Sequence, residues 1–95
     1  MIVFEKEQFQ KKVVEWMVSK GQARLNLSTL ISDITGGEDW WPLGLPQLSV
    51  NRDSREEYIK QEWSREIVRY GRSYYRLVIE NVLGLYYAVR LEKVI

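Results

Sequence analysis

The stretches Tyr74–Glu80 (YYRLVIE) and Tyr87–Glu92 (YAVRLE) decide the fold class of this 95-residue chain. In both stretches large apolar residues recur at every second position, and a mixed set of residues occupies the positions between them. A period of two is typical of half-buried strands, and the β-branched and aromatic content also favours strands. A helix is the alternative, because the apolar residues are dense enough to fit its period as well. We interpret the two stretches as a C-terminal hairpin with its turn at Asn81–Gly84, because Gly84 can adopt a positive φ.

Two amphipathic helices are predicted in the first half of the chain. The first spans Glu5–Lys20, because its apolar residues recur at helical spacing. The second spans Leu27–Thr35, and Asn26 is placed to cap its first turn. The short segments Met1–Phe4 and Ala23–Leu25 have the composition of brief strands.

The third helix is predicted to span Asp53–Tyr70. Ser54 stands three residues before Glu57, which is the spacing of a capping box. One apolar stripe follows the helical period and is expected to be buried, namely Ile59, Trp63, Ile67 and Tyr70. A chain of this length forms one domain, which spans residues 1–95. The expected fold is therefore α+β, with three helices followed by a C-terminal β-hairpin.

The composition excludes several classes of active site. The chain has no cysteine and no histidine, which rules out disulfides, thiolate metal sites and histidine general bases. The apolar content of 45% and the charged content of 28% are typical of an ordered domain. No apolar run is long enough to span a bilayer, and the N-terminal residues lack the pattern of a signal peptide. We therefore expect a cytoplasmic protein that has no membrane contact, no cofactor and no bound metal.

Carboxylate pairs are the remaining candidates for catalysis. Glu62 and Glu66 are four residues apart on a predicted helix face with arginines nearby, and we interpret them as a surface ladder of ion pairs. Glu38 and Asp39 directly follow two glycines and are interpreted as part of a turn. No acidic residues have the spacing of a metal site in a nuclease. An enzyme is therefore not expected, and a metal-dependent hydrolase is kept only as a third alternative.

Arginine is concentrated in one part of the sequence. Six of the arginines lie between Arg52 and Arg76, although the net charge of the chain is only +1. Guanidinium groups bind phosphates and can read base edges. The order of the elements, with an arginine-bearing third helix before a hairpin, resembles that of winged helix-turn-helix proteins. In those proteins the third helix enters the major groove and the hairpin, or wing, contacts the flanking backbone.

The segment Leu48–Ile59 resembles the turn and the start of the recognition helix in winged-helix transcription regulators. This resemblance implies that four residues face double-stranded DNA, namely Asn51, Arg52, Ser54 and Arg55. Further contacts are expected from the rest of the helix and the base of the wing, at Arg65, Arg69, Arg72 and Arg76. The predicted function is non-enzymatic DNA binding, of the kind performed by small transcription regulators. A homodimer is expected, because two copies double the contact of one small module.

The whole chain also resembles the small uncharacterised proteins of rod-shaped viruses that infect thermophilic archaea. Those proteins are single domains rich in tyrosine, tryptophan, isoleucine and charged residues. The resemblance implies a viral protein that acts in the host cytoplasm. Many members of that group are predicted helix-turn-helix regulators, which supports the DNA-binding prediction.

Trp40 and Trp41 suggest a different function. They belong to the irregular stretch Glu38–Val50, which is expected either to fold back and pack or to present its tryptophans to a partner. Adjacent side chains are rarely both buried, so we expect one of the two on an interaction surface. The alternative function is therefore a protein–protein interaction module. In this alternative the chain would form a homo-oligomer and have no nucleic-acid role.

Overall fold

The computed structural model describes residues 1–21, 24–45, 51–64 and 66–95, with the side chains of all of these except Arg52 and Asp53. The described residues form three helices and six strands in an α+β fold. In chain order the elements are β1 (Ile2–Phe4), α1 (Lys6–Ser19), β2 (Arg24–Asn26), α2 (Leu27–Thr35), β3 (Trp40–Pro42), α3 (Arg52–Trp63), β4 (Ile67–Tyr70), β5 (Ser73–Val82) and β6 (Tyr86–Lys93). The predicted α+β class is confirmed. The predicted order of three helices followed by a hairpin is incomplete, because β3, between α2 and α3, and β4, which precedes the hairpin, were not predicted as strands.

The first two helices form where the sequence predicts them. α1 is one residue shorter than predicted at each end, and it buries Phe9, Val13 and Met17. α2 has the predicted bounds. The side chain of Asn26 caps it by accepting hydrogen bonds from the backbone N–H groups of Ser28, at 2.9 Å, and Thr29, at 3.3 Å.

The third helix is shorter than predicted. It ends at Trp63, whose carbonyl accepts a buried hydrogen bond of 2.7 Å from Nε2 of Gln10, and Ser64 then adopts an extended conformation. The last four residues of the predicted helix, Ile67–Tyr70, form β4 instead, where Ile67 is 55% exposed. The predicted burial of the stripe is therefore confirmed for Ile59 and Trp63, whereas the predicted burial of Ile67 is wrong. In a strand, unlike a helix, Ile67 lies on the face opposite to Val68, which packs against the core.

The start of the third helix also differs from the prediction. Asn51, and not Ser54, is the N-cap, because its side-chain oxygen accepts a hydrogen bond of 2.8 Å from the backbone N–H of Ser54. Ser54 therefore lies inside the first turn, and the predicted capping box with Glu57 does not form.

The main sheet has four strands in the order β2-β6-β5-β4, and all neighbouring strands are antiparallel. β5 and β6 form the predicted C-terminal hairpin, with Val82 paired to Tyr86 at its closed end. β4 extends this hairpin on one side, and β2, which connects α1 to α2, extends it on the other. The predicted strand Ala23–Leu25 corresponds to β2, although Ala23 lies outside the described residues.

A second, two-stranded sheet joins the N-terminus to the tryptophan-rich stretch. β1 and β3 pair in parallel, with Ile2 opposite Trp40 and Val3 opposite Trp41. This pairing places Trp40 in the core, where its ring lies 6.2 Å from that of Phe4. Of the two open alternatives for this stretch, folding back and packing is the one observed for its described residues.

The three helices cover one face of the four-stranded sheet. Alternate residues of β5 and β6, such as Leu77, Ile79 and Val89, join the helices in the core. No helix of the described residues covers the opposite face, which we call the outer sheet face. The described residues on it are Arg24 and Asn26 of β2, Ile67 and Arg69 of β4, Tyr74, Arg76, Val78, Glu80 and Val82 of β5, and Tyr86, Ala88, Arg90 and Glu92 of β6.

Candidate nucleic-acid interface

The residues predicted to contact DNA fall into two separate regions. Asn51, Ser54 and Arg55 lie in or before the first turn of α3, which packs on the inner face of the sheet. Three others lie in the β4–β5 hairpin, at Arg69, Arg72 and Arg76. Arg65 lies outside the described residues, and for Arg52 only the backbone, at the start of α3, is described.

Arg55 binds within the protein. Its Nη1 atom donates to the backbone carbonyl of Trp40 at 2.7 Å and to Oδ1 of Asp39 at 3.1 Å. The guanidinium carbon also lies 5.1 Å from the ring centroid of Trp40 and 5.3 Å from that of Trp41. The side-chain hydrogen bond from Arg55, with a second from the backbone of Trp40, lowers the pKa of Asp39 below its ordinary value. Arg55 thus joins α3 to β3, and this use competes with the predicted contact to DNA.

Both tryptophans of the predicted interaction surface are buried. Trp40 is 7% exposed and Trp41 is 9% exposed, so the expectation that one of them is exposed is wrong. The physical reason is that a strand directs successive side chains to opposite sides, and here both sides are covered. Trp40 packs into the core, whereas Trp41 lies against Arg55 and donates from Nε1 to the carbonyl of Leu45 at 2.6 Å.

The solvent-facing side of α3 is acidic rather than basic. Glu62 is exposed, and Glu57 is half-buried at a position where it accepts hydrogen bonds from Tyr87, at 2.6 Å, and Gln61, at 2.9 Å. These two bonds lower the pKa of Glu57 and favour its charged form, and the bond from Tyr87 has the larger effect. Lys60 is the nearest described cation on this side, 4.0 Å from Glu57. Negative charge here opposes the approach of phosphates.

The outer sheet face brings together arginines that are distant in the sequence. Arg24 lies opposite Arg90 on the neighbouring strand, Arg90 lies opposite Val78, and Arg69 lies opposite Tyr74. With Arg76, four arginines share this face. Arg72 adds a fifth guanidinium in the two-residue turn between β4 and β5.

These arginines differ in their partners. Arg90 forms ion pairs with Glu92 and, at 3.5 Å, with Glu80. The hydrogen bond that Arg90 donates to Glu92 is the main cause that raises the pKa of Arg90. Arg76 lies 4.0 Å from Glu92. Arg24, Arg69 and Arg72, by contrast, form no ion pair with any described acid; Nε of Arg69 donates to the carbonyl of Gly71 at 3.2 Å. Three guanidinium groups on or beside this face are therefore available to an anionic partner.

The charges of the chain are divided between its two parts. Residues 67–95 contain five arginines or lysines and two glutamates, whereas residues 1–66 contain nine basic and eleven acidic residues. The near-neutral net charge therefore results from a basic sheet region and a weakly acidic helical region.

Two of the four arginines on this face, Arg24 and Arg90, were absent from the predicted site. Arg90 could have been found from the alternation in β6, which places it on the same face as Glu92. Arg24 had no such signal, because its position depends on the pairing of β2 with a strand near the other end of the chain.

The described part of the chain contains neither a cluster of metal ligands nor a membrane-spanning helix. Its acidic residues nowhere form a group of three or more that could hold a metal ion. None of its helices is long and apolar enough to cross a membrane. No family model matches the sequence, and comparisons with curated proteins and with solved structures gave no match.

Proposed function

We propose that this protein binds DNA without catalysing a reaction, and that the outer sheet face makes the contact. The observation that carries the proposal is the set of guanidinium groups on and beside this face, of which those of Arg24, Arg69 and Arg72 have no acidic partner among the described residues. Arginine side chains neutralise phosphates and release their counterions, which is the main source of affinity in sequence-independent binding. Strand spacing places Arg24 and Arg69 about 20 Å apart, so the face extends over several nucleotides.

The proposal keeps the winged-helix resemblance but changes the surface that it implies. The pairing of β2, between the first two helices, with the last strand β6 is compatible with that architecture. Entry of α3 into a major groove is less favourable, because Glu57 and Glu62 would approach phosphates while Arg55 is bound to β3. A small DNA-binding regulator, as predicted from the sequence, is the role that we propose for this face.

The test is a fluorescence anisotropy titration of a labelled duplex and of a single strand of the same sequence, at several salt concentrations. Binding is expected at about 50 mM salt and should weaken steeply as salt rises. The variants R24Q and R69Q should each weaken binding and reduce the magnitude of the salt slope by about one. The matched control is K11Q, which removes one exposed positive charge from α1 on the helical side.

Two outcomes would contradict the proposal. One is the absence of binding to either nucleic acid at about 50 mM salt. The other is an equal loss of affinity in K11Q and in the sheet variants, because the contact would then depend on total charge and not on this face. Thermal melts of each variant show whether the fold is retained.

A second candidate function, the protein–protein interaction module, is supported by a different surface from the one predicted. Leu83 and Leu85, in the turn between β5 and β6, are 89% and 79% exposed, and the chain carries no charge between Glu80 and Arg90. We propose a second copy of this chain as the partner. Light scattering after size exclusion should then show an oligomer that L83S and L85S dissociate, while L43S, at another exposed leucine, does not. A monomer at all concentrations would overturn this candidate.

A further inference from the structure

Several tyrosines of the sheet lie near the arginines, and Tyr74 differs from the others in the face of the sheet that it occupies. Tyr70, Tyr75 and Tyr87 pack into or against the core from the inner face, whereas Tyr74 lies on the outer sheet face and is 37% exposed. Its backbone is held on both sides of the strand. It pairs with Arg69 of β4, and it also exchanges hydrogen bonds with the last two residues of the chain, donating to Ile95 at 3.2 Å and accepting from Val94 at 2.7 Å. The ring is therefore attached to a rigid part of the sheet.

On the β4 side and along its own strand, Tyr74 has two arginines and one isoleucine as neighbours on this face, and on the β6 side it has Val94 and, diagonally, Glu92. Arg69 lies directly opposite on β4, where facing side chains have Cβ atoms about 5 Å apart. Arg76 is two residues along β5 on the same face, about 7 Å away. Ile67, which lies opposite Arg76 and is 55% exposed, is the diagonal neighbour of Tyr74. The ring is thus bordered by Arg69, which has no acidic partner among the described residues, by Arg76, which lies 4.0 Å from Glu92, and by an exposed apolar side chain.

This combination suits an unpaired nucleotide. The face of a base can stack on an aromatic ring or on a guanidinium plane, while the phosphates on either side bind the arginines. In a duplex the faces of the bases are already stacked on each other, so the ring of Tyr74 would gain no such contact. We propose that the outer sheet face prefers single-stranded nucleic acid and that a base stacks on Tyr74 between Arg69 and Arg76. This inference rests on the proposed function, because it names the ligand of the same face.

The experiment compares Tyr74 with Tyr86, which offers a matched control. Tyr86 is 39% exposed on the same face, but it lies at the other end of the hairpin, opposite Val82 and away from the arginines. Anisotropy titrations of the full chain would use labelled oligo(dT), oligo(U) and a duplex of equal length, with the variants Y74L, Y74F and Y86L.

The expected result has four parts. The wild-type chain binds the single strands more tightly than the duplex. Y74L loses at least about fivefold in affinity for the single strands, Y74F retains it, and Y86L stays within about twofold of the wild type. The salt slope of Y74L stays unchanged, because the arginines still neutralise the same phosphates. Oligo(dT) should bind more tightly than oligo(U), because the proposed function is DNA binding, and the reverse order would contradict that function.

Failure of this inference is distinct from failure of the proposed function. Equal affinity for duplex and single strand, together with an unchanged Y74L, would overturn the stacking role even if R24Q and R69Q weaken binding. An equal loss of affinity for single strands in Y86L and Y74L would also overturn it, because the contact would then not depend on the position of Tyr74 between the arginines. Loss of all binding in the wild-type chain would instead reject the proposed function itself.

Discussion

Arginines on the two sides of this protein have opposite relations to their surroundings. Arg55, on the helical side, donates to Asp39 and to the carbonyl of Trp40, and its guanidinium lies over two tryptophan rings. Arg24 and Arg69, on the sheet side, are exposed and have no acidic partner among the described residues. The comparison teaches that a cluster of arginines in a sequence is not one site. The neighbours of each arginine decide whether its charge serves folding or remains available for binding.

The sharpest test of this comparison is the matched pair R55Q and R69Q. R55Q should lower the free energy of unfolding by about 2–3 kcal/mol, because the carbonyl of Trp40 loses a charged donor and both rings lose the guanidinium. R69Q should change it by less than about 0.5 kcal/mol, because Arg69 is exposed. Urea denaturation measures both values. Similar losses in the two variants would remove the distinction between the two sides.

A substitution in the turn between β5 and β6 tests whether an exposed residue on the sheet side lowers the stability of the fold. Leu83 has a φ of 53° and is 89% exposed, a conformation that asparagine adopts more easily than leucine. L83N should therefore raise the free energy of unfolding by about 1 kcal/mol, as measured by urea denaturation. The control is L85N, at the neighbouring exposed leucine with ordinary φ. A loss of stability in L83N would mean that the leucine makes a stabilising contact.

The contact between Tyr87 and Glu57 gives the helical side a dependence on pH. In the folded chain the pKa of Glu57 lies below its ordinary value of 4.5, mainly because Tyr87 donates a hydrogen bond to its carboxylate. The stabilisation from the charged form of Glu57 is therefore complete above pH 4.5 and is lost as the pH falls through the lowered pKa. Y87F should lower the free energy of unfolding at neutral pH, by no more than about 1 kcal/mol because Glu57 is partly exposed. The same variant should lose less stability than the wild type as the pH falls. The control is Y86F. Urea denaturation between pH 3 and pH 7 measures the difference, and parallel curves for Y87F and the wild type would contradict the assignment.

The smallest expected effect concerns the paired arginines of the sheet side. Glu92 forms ion pairs with both Arg76 and Arg90, so E92Q releases Arg76 and leaves Arg90 with only Glu80, at 3.5 Å, as an acidic partner among the described residues. Affinity for nucleic acid at low salt should rise by about two- to fivefold, with little change in stability, because exposed ion pairs contribute little to folding. E62Q, which removes an exposed acid from α3, is the control. An equal gain in both variants would show that total charge, rather than this face, determines affinity.

Local signals in the sequence predicted part of the fold. The bounds of α2 and its cap at Asn26 depend on residues close together in the chain, and they were predictable for that reason. The same is true of the β5–β6 hairpin, whose alternation and turn lie in one continuous segment. The end of α3 was not predictable, because Gln10 of a distant helix binds the carbonyl of Trp63.

The candidate site was predictable to a smaller degree. Arg69 and Arg76 belong to the predicted set and lie on the outer sheet face, but Arg24 and Arg90 were not included. Arg55 belongs to the predicted set yet binds within the protein. An arginine in a sequence carries a charge in every case, whereas its partner is determined by residues that approach it only after folding. The DNA-binding role, the homodimer and the resemblance to viral proteins stay predictions.

Composition and local pattern are enough to predict the α+β class, the bounds and N-cap of α2, the β5–β6 hairpin, and the absence of cysteine and histidine chemistry. These properties follow from composition and from side-chain periodicity over a few residues. The burial of both Trp40 and Trp41 depends on tertiary contacts, and so does the placement of arginines from β2, β4, β5 and β6 on the outer sheet face. The physical reason is that strand pairing between distant segments, β1 with β3 and β2 with β6, sets which side chains become neighbours, and no local pattern encodes that choice.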